Sequence, residues 1–338
     1  MKEPYSFSIF NPPLISWLLL CVIALFLVLT SLMYGEIQLS PAELWSVALD
    51  QAQPMHQLLI ENIRLPRLLA GLLIGTALAL SGLLLQLVTK NTLASPDIFG
   101  ISDSAVLALA FTILLTSSHV MGEWWHALLG AVACICIILI ASGGIGTQGY
   151  RILVIGVGIA TLMKASFDLI LSTLPIMHSS SILVFNSGSL IGRSYSVLLP
   201  TSILILSLIF IIKLWRRLFS VVVLPDTVIQ SIGISLPALR FIMIIIAAFL
   251  AGTAVSIAGP IGFVAIAAPI LSFKLFPADL FPLAPAMCIG ALMVVAADLL
   301  GRTLLAPVEI PAGIISGMIG GPLLLWLLYN NSRNMSRK

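Results

Sequence analysis

Long apolar runs, repeated along nearly the whole chain, constrain this sequence more than any other feature. Of 338 residues, 60% are apolar and only 9% are Asp, Glu, Lys or Arg. Soluble domains carry about 25% charged residues, so this chain lacks the polar side chains that would cover a water-soluble fold of its size. The apolar residues suffice for about ten helices of roughly 20 residues, the length that crosses a bilayer. We therefore expect an all-α polytopic membrane protein forming one domain over residues 1–338, and neither a nucleic-acid-binding protein nor an ordinary soluble enzyme.

Turn residues or charges bound each expected span. The approximate limits are 14–34, 64–88, 98–116, 125–141, 152–174, 197–215, 239–257, 260–276, 281–300 and 311–329. The first run is too long for the apolar part of a cleavable signal peptide, so we expect no cleavage there. An even number of spans puts both termini on one side of the membrane.

The positions of Lys and Arg predict which side that is, because cytoplasmic loops are enriched in these residues. With the N-terminus inside, eleven of the 16 basic residues are cytoplasmic. Only Arg64, Arg67, Arg193 and Arg302 lie outside, and Lys164 lies within a span. The sequence therefore predicts cytoplasmic termini.

Cysteine and histidine residues give no indication of a metal site. Cys21, Cys134, Cys136 and Cys288 all lie in apolar runs, where cysteine packs as a small hydrophobic residue. The histidines, at positions 56, 119, 126 and 178, are scattered over external segments. We expect no bound metal.

One motif occurs twice. The sequence GTALALSG at 75–82 recurs as GTAVSIAG at 252–259, each copy with a basic residue before it and a proline after it. The copies fall on the second and seventh spans, which cross the membrane in opposite senses. This predicts an inverted five-helix repeat with halves of about 60–175 and 236–330, an arrangement common in transporters. Close helix packing through small residues is the alternative explanation of the motif.

A series of further motifs follows in order along nearly the whole chain. From Arg64 the sequence reads RLPRLLAG, and residues 91–101 read NTLASPDIFGI. Later come GSL at 188–190, GPIGFV at 259–264, Asp298, RTLLAP at 302–307, EIPAG at 309–313 and GGP at 320–322. The series resembles the iron–siderophore and vitamin B12 ABC-transporter permease family. Ten helices with both ends in the cytoplasm are also typical of that family.

The resemblance implies a permease of the bacterial cytoplasmic (inner) membrane that pairs with a second permease subunit. Two cytoplasmic ATPase subunits and an external substrate-binding protein would complete an importer of an iron–siderophore chelate, with haem or cobalamin as alternatives, working by ATP-driven alternating access. The chain itself is then neither an enzyme nor a cofactor-binding protein. No Gly-Lys-Ser/Thr phosphate loop occurs in it, and GIGTQG at 144–149 fits the dinucleotide pattern without the strand that must precede it.

The resemblance assigns docking of the external binding protein to Arg64, Arg67 and Arg302. Arg64 and Arg67 are three residues apart and share a helix face. Guanidinium groups suit bidentate pairing with carboxylates, and a positive outer mouth attracts an acidic partner. Pairing within the chain, with Glu61 and with Asp298, and binding to lipid phosphate are the alternatives.

The cytoplasmic loop over about 216–238 matches the position of the family's coupling helix, which contacts the ATPase. Asp226 is a candidate N-cap and Gly233 a candidate C′ residue of a helix of about two turns. The coupling residues implied are Pro225, Asp226, Ile229, Gln230 and Gly233. A plain connecting helix is the alternative.

Several residues depart from the family's usual pattern. Where the family has Gly and Ala-Arg in the coupling segment, and elsewhere Pro, Gly, His and Arg, this chain has Pro225, Ile229-Gln230, Thr92, Ser104, Ile270 and Phe273. These departures favour a heterodimer with a second, more typical permease over self-pairing.

Two residues before the fifth span and two within it are candidates for the pathway or its gate. Gly149 and Tyr150 precede this span, where the family closes the cytoplasmic end with small residues, although Tyr150 would also suit an interfacial tyrosine. Lys164 and Asp168 lie well inside the span, four residues apart and of opposite sign. They predict either mutual neutralisation or a polar group on the substrate path.

A secondary, ion-coupled carrier is the alternative function. The inverted repeat and the charges within the fifth span favour it. An intramembrane hydrolase is disfavoured, because no histidine lies deep within a span to activate a nucleophile, His126 being at the edge of the fourth.

Overall fold

The computed structural model describes residues 13–35, 37–116, 124–143, 149–174 and 176–336, and within these ranges it contains helices and no strand. The helices are α1 (Pro13–Met33), α2 (Pro41–Ala48), α3 (Pro54–Leu58), α4 (Leu65–Thr89), α5 (Ile101–Thr116), α6 (Trp124–Ser142), α7 (Gly149–Thr173), α8 (Ile176–Asn186), α9 (Tyr195–Leu214), α10 (Arg216–Ser220), α11 (Asp226–Ser231), α12 (Leu236–Ala258), α13 (Val264–Leu275), α14 (Leu283–Thr303) and α15 (Ala312–Ser336). A π-helical stretch, Leu59–Arg64, joins α3 to α4, and a 3-10 turn, Val221–Val223, follows α10.

Each apolar run expected from the sequence coincides with a helix, namely α1, α4, α5, α6, α7, α9, α12, α13, α14 or α15. Among the described residues, 7 helices are long and apolar enough to cross a membrane, and shorter apolar stretches occur in α5 (Ile101–Leu115), α13 (Val264–Leu275) and α15 (Ala312–Leu325). The chain is helical because lipid offers no hydrogen-bond partners, so every backbone N–H and C=O in a bilayer has to form its hydrogen bond within the protein. The predicted all-α membrane class is confirmed.

The connection before α5 explains why that helix is short. A Cβ added to Gly100 would lie 2.6 Å from the Cα of Ala160, so the backbone at Gly100 touches the middle of α7. Ala160 is eleven residues from the start of α7, or about 16 Å along its axis. The chain after α4 therefore re-enters the bundle before α5 begins, and α5 starts inside the protein rather than at its surface.

The most buried helices are α4 and α12. In the most apolar 18-residue stretch of each, 78% of the residues are buried, against 17% in α1 and 11% in α7. The hydroxyl of Ser81 on α4 donates to the carbonyl of Ala247 on α12 at 2.7 Å. These two helices form the centre of the bundle, and α1 and α7 lie at its periphery.

Both copies of the repeated motif pack closely against another helix. A Cβ on Gly75 of α4 would lie 2.6 Å from the Cα of Ala291 on α14, and a Cβ on Gly252 of α12 would lie 2.5 Å from the Cβ of Ala131 on α6. Among the ten expected spans, α4 is the second and α6 the fourth, and α12 is the seventh and α14 the ninth. The first helix of each expected half therefore packs against the third helix of the other half.

Candidate functional site

Arg64, the residue immediately before α4, binds the end of α1. Its guanidinium donates to the carbonyls of Leu32, Met33 and Ile37, the Met33 bond being 3.0 Å long. The last carbonyls of a helix have no partner within it, so a guanidinium placed there satisfies them. Glu61 instead accepts a hydrogen bond from Gln57 at 3.3 Å. The pairing of Arg64 with Glu61, weighed from the sequence, is therefore wrong.

Arg67 is held by two carboxylates. Its Nε donates to both carboxylate oxygens of Asp298, at 2.9 and 3.0 Å, and its Nη1 donates to both oxygens of Glu309, at 3.1 and 2.9 Å. Asp298 lies on α14 and Glu309 lies in the connection to α15, so this one side chain joins α4 to two later segments.

Arg302 completes the cluster. Its Nε lies 3.4 Å from an oxygen of Asp298, one helical turn away, and its Nη2 donates to the hydroxyl of Ser31 at 2.7 Å and to the Ser31 carbonyl at 3.1 Å. Asp298 thus pairs with two arginines. This agrees with the alternative that these arginines pair with Asp298 within the chain. We call Arg67, Arg302, Asp298 and Glu309, together with Arg64 beside them, the outer ionic network, because the sequence predicts that this end faces outward.

Burial distinguishes this network from a surface patch. Arg64, Arg67 and Arg302 are only 4%, 9% and 6% exposed, whereas the side chain of Glu309 is 26% exposed. The structure brings Arg67 of α4 and Arg302 of α14 together around Asp298, and their docking role stays a prediction. The sequence carries no sign that Glu309 and Ser31 are their partners, because both contacts join segments far apart in the chain.

The predicted coupling helix is present as α11, with different capping from that expected. Pro225 occupies the N-cap position and Asp226 is the first helical residue, so Asp226 is not the N-cap that its residue type predicts. Gly233 follows the C-cap with φ +79°, and its N–H bonds the carbonyl of Gln230 at 3.0 Å. A left-handed φ of this kind favours glycine, and the predicted C′ role of Gly233 is confirmed.

The side chains of α11 divide into a buried and an exposed set. Ile229 is completely buried, whereas Gln230 is exposed. Leu224, Val228 and Ile232 are exposed apolar residues, with Ile232 at 55%. This short helix and its flanking residues thus present apolar side chains that nothing in the described part of the chain covers.

Asp226 binds two basic residues. Lys90 Nζ donates to its carboxylate at 2.6 Å, and Arg240 Nη2 lies 3.0 and 3.1 Å from its two oxygens. The hydrogen bond from Lys90 and the charge of Arg240 hold the pKa of Asp226 below its usual range. These ion pairs therefore persist at neutral pH and are lost only as the pH falls below about 4 towards the lowered pKa.

The fifth expected span, α7, carries exposed polar residues. Thr161, Lys164, Asp168 and Ser172 are all exposed and lie three or four residues apart, on one helix face. Lys164 and Asp168 form no ion pair within the part of the chain that the structure describes, so of the two predicted roles a direct pairing is not seen there, and the role on the substrate path stays a prediction. Asp103 on α5 interacts electrostatically with both, a contribution that the sequence analysis missed.

The remaining gate candidates, Gly149 and Tyr150, form the start of α7. The surroundings of Gly149 and the side chain of Tyr150 lie outside what the structure describes. Their gate role stays a prediction.

Comparison with known proteins now identifies the type of chain. The model of the FecCD transport family matches residues 22–330, which is most of the sequence. This chain belongs to the FecCD transport family. The match runs from the middle of α1 to within two turns of the end of α15.

Two curated relatives show how far the similarity extends. A probable siderophore transport system permease protein of Bacillus subtilis is 34% identical over 296 residues, covering 84% of this chain and 86% of the relative. A hemin transport system permease protein of Yersinia pestis is 31% identical over 327 residues, covering 94% and 96%.

A solved structure shares the fold of this FecCD chain. It shows a metal-chelate type ABC transporter in an inward-facing conformation, with a TM-score of 0.78, 25% identity, and coverage of 92% of this chain and 99% of that one. The family resemblance drawn from the motifs is confirmed. Together with the apolar helices, membership makes this a multi-pass protein of the cytoplasmic (inner) membrane.

Proposed function

We propose that this chain is the membrane-spanning permease subunit of an ABC importer for an iron chelate. An Fe(III)-siderophore is the first candidate for the cargo, and haem or cobalamin are the alternatives. The observation that carries the proposal is the FecCD family match over residues 22–330, together with relatives named for siderophore and hemin transport. ATP is hydrolysed by separate cytoplasmic subunits, and alternating access moves the cargo.

The proposal includes a membrane arrangement of ten spans with both termini in the cytoplasm. The coincidence of ten predicted runs with ten helices supports the count, and the distribution of Lys and Arg supports the orientation. The matched packing of Gly75 on α14 and of Gly252 on α6 supports an inverted repeat.

Coupling to the ATPase is assigned to the segment from Pro225 to Gly233. The exposed apolar residues Leu224, Val228 and Ile232 support this role, because such a face on a cytoplasmic loop is stabilised by a partner that covers it. Gln230 would lie at the edge of that contact, while Ile229 holds the helix on the bundle.

The pathway is assigned to the polar face of α7. Charged residues in a membrane almost always face a protein or water rather than lipid, because their transfer into hydrocarbon is costly. Lys164 and Asp168 are exposed on this face, so we place the second permease subunit and a water-filled path beside it. The departures from the family pattern in Pro225 and Ile229-Gln230 favour a different chain as that second subunit.

An ion-coupled carrier is not favoured. The charges on α7 would suit it, but the FecCD family and the external and cytoplasmic features of this chain accord with a subunit of a larger importer.

The first test of the proposed function is purification of the tagged protein from its own host in mild detergent, with mass spectrometry of the co-eluting proteins. We expect an ATPase and a second, related permease, and ATP-dependent uptake of a ferric siderophore when the complex is reconstituted with its external binding protein. An ATPase with only this chain would contradict the heterodimer. The chain alone, driving ion-dependent uptake in vesicles, would contradict the importer.

Docking of the external binding protein is assigned to the outer ionic network. Because its arginines are mostly buried, the variants have to separate a loss of docking from a loss of folding. Arg67 already holds Glu309, the more exposed of the network's two carboxylates, with 26% of its side chain exposed against 7% for Asp298. Reversing the charge in Arg67→Glu should weaken association with the binding protein by about tenfold or more, because an acidic partner loses its attraction. The measurement is surface plasmon resonance at two salt concentrations, since screening weakens such attraction.

The matched control for docking is Glu309→Gln, which disturbs the same network but raises its positive charge. An electrostatic docking role requires that this variant bind the partner at least as tightly as the unaltered protein. Equal weakening by Arg67→Glu and Glu309→Gln would show that the network only supports the fold.

A further inference from the structure

One carboxylate connects the short helix α11 to the two central helices of the bundle. Asp226 accepts from Lys90 at 2.6 Å and from Arg240 at 3.0 and 3.1 Å. Lys90 directly follows α4, and Arg240 lies five residues into α12. No other acidic residue in the described part of the chain pairs with either base.

The geometry around Lys90 favours this contact. Lys90 caps α4 in the left-handed region, with φ +52°, a conformation that non-glycine residues adopt infrequently. Its Nζ also donates to the carbonyl of Leu224 at 3.2 Å, so it holds both the residue before the turn into α11 and the first residue of α11. A cation at the end of α4 and an anion at the start of α11 also suit the two helix dipoles.

Arg240 depends on the same carboxylate. Its side chain is only 14% exposed, and its Nε is a buried atom without a hydrogen-bond partner in the described part of the chain. A mostly buried guanidinium needs a compensating charge, and Asp226 supplies it. The completely buried Ile229, one turn further along α11, completes the attachment to the bundle.

Asp226 and the exposed Val228 are two residues apart, so they lie on different faces of α11. The helices that Asp226 holds, α4 and α12, are themselves joined by the hydrogen bond from Ser81 to Ala247. A displacement of α11 would therefore act on α4 and on α12 together, through the ion pairs of Asp226 with Lys90 and Arg240.

We propose that Asp226 is a positioning residue that fastens α11 to α4 and α12, so that movement of α11 is transmitted to both helices. The transmission part rests on the proposed coupling function, whereas the fastening does not. Asp226 in this role contacts neither the cargo nor the ATPase. Its charge fixes the helix that the partner contacts.

The fastening is tested first in the permease alone, with a spin label at position 228 in a variant whose four native cysteines are replaced by alanine. Electron paramagnetic resonance in nanodiscs should show a more mobile label after Asp226→Asn. With Asp226→Glu the label should be as immobile as in the protein that keeps Asp226. The matched control is Asp279→Asn, which removes the ion pair of Asp279 with Arg216 at 2.7 Å without touching α11. Unchanged mobility in Asp226→Asn, or an equal change in Asp279→Asn, would overturn the fastening.

Transmission is tested in the full importer, reconstituted with its ATPase and binding protein. We expect Asp226→Asn to retain the ATPase on the permease while the cargo taken up per ATP hydrolysed falls by about fivefold or more. Asp226→Glu and Asp279→Asn should preserve that ratio. An unchanged ratio in Asp226→Asn would overturn transmission and leave the coupling contact of α11 intact. Loss of the ATPase from the complex would instead place Asp226 in the partner's contact surface and also overturn the proposal.

Discussion

Replacing Asp298 by asparagine is expected to destabilise the protein by about 3–5 kcal/mol, because two buried arginines lose the carboxylate they share. Arg67 makes two hydrogen bonds to Asp298, and Arg302 Nε lies 3.4 Å from it. All three side chains are buried, so water cannot replace the lost charge as it would at a surface. Glu309 would be left as the counter-charge of Arg67, and Arg302 would retain only Ser31.

The measurement is thermal unfolding in detergent, followed with a thiol-reactive dye. Cys134 is buried and reports unfolding once Cys21, Cys136 and Cys288 are replaced by alanine. The matched control is Asp279→Asn, which removes a more exposed ion pair with Arg216. Exposed pairs contribute about 0–1 kcal/mol, so its unfolding temperature should change little. Equal unfolding temperatures in the two variants would contradict a stabilising role for the outer ionic network.

The sequence predicts the helices well because the membrane itself determines them. An apolar run of about 20 residues has few alternatives in a bilayer, whatever its neighbours are. The beginning of α5 is less predictable. Its expected span starts at about residue 98, while the helix starts at Ile101 after a segment that touches the middle of α7. That contact depends on Gly100 and Ala160, which are far apart in the sequence.

The candidate site shows the same limit. The spacing of Asp298 and Arg302 predicts their proximity, since residues four apart on a helix are neighbours. The partners of Arg64 are backbone carbonyls of α1, which no side-chain pattern can reveal. Asp226 is a good N-cap residue by type, but Lys90 and Arg240 attract its carboxylate away from that role. Local propensity predicts where α11 lies, and tertiary ion pairs decide what its first residue does.

Gly82 is the position where one added methyl group should have the largest effect. A Cβ there would lie 2.6 Å from the carbonyl carbon of Ala265 and closer still to its oxygen, so backbone meets backbone. No side-chain rotation can relieve that overlap, and α4 would have to separate from α13. One turn further along α4, Gln86 donates to the carbonyls of Ala265 and Ile266 at 3.4 and 3.2 Å, and separation would break these bonds too.

We therefore expect Gly82→Ala to destabilise the protein by about 3 kcal/mol or more, the upper end of the cost of overpacking. That loss exceeds the gain of about 1 kcal/mol that alanine brings over glycine within a helix. Gly317→Ala is the matched control, because a Cβ on this helical glycine meets nothing within 4 Å. The same dye-monitored unfolding should show a large fall for Gly82→Ala and no fall for Gly317→Ala. Similar behaviour of the two variants would mean that α4 and α13 can separate at little cost, and that their close contact does not stabilise the protein.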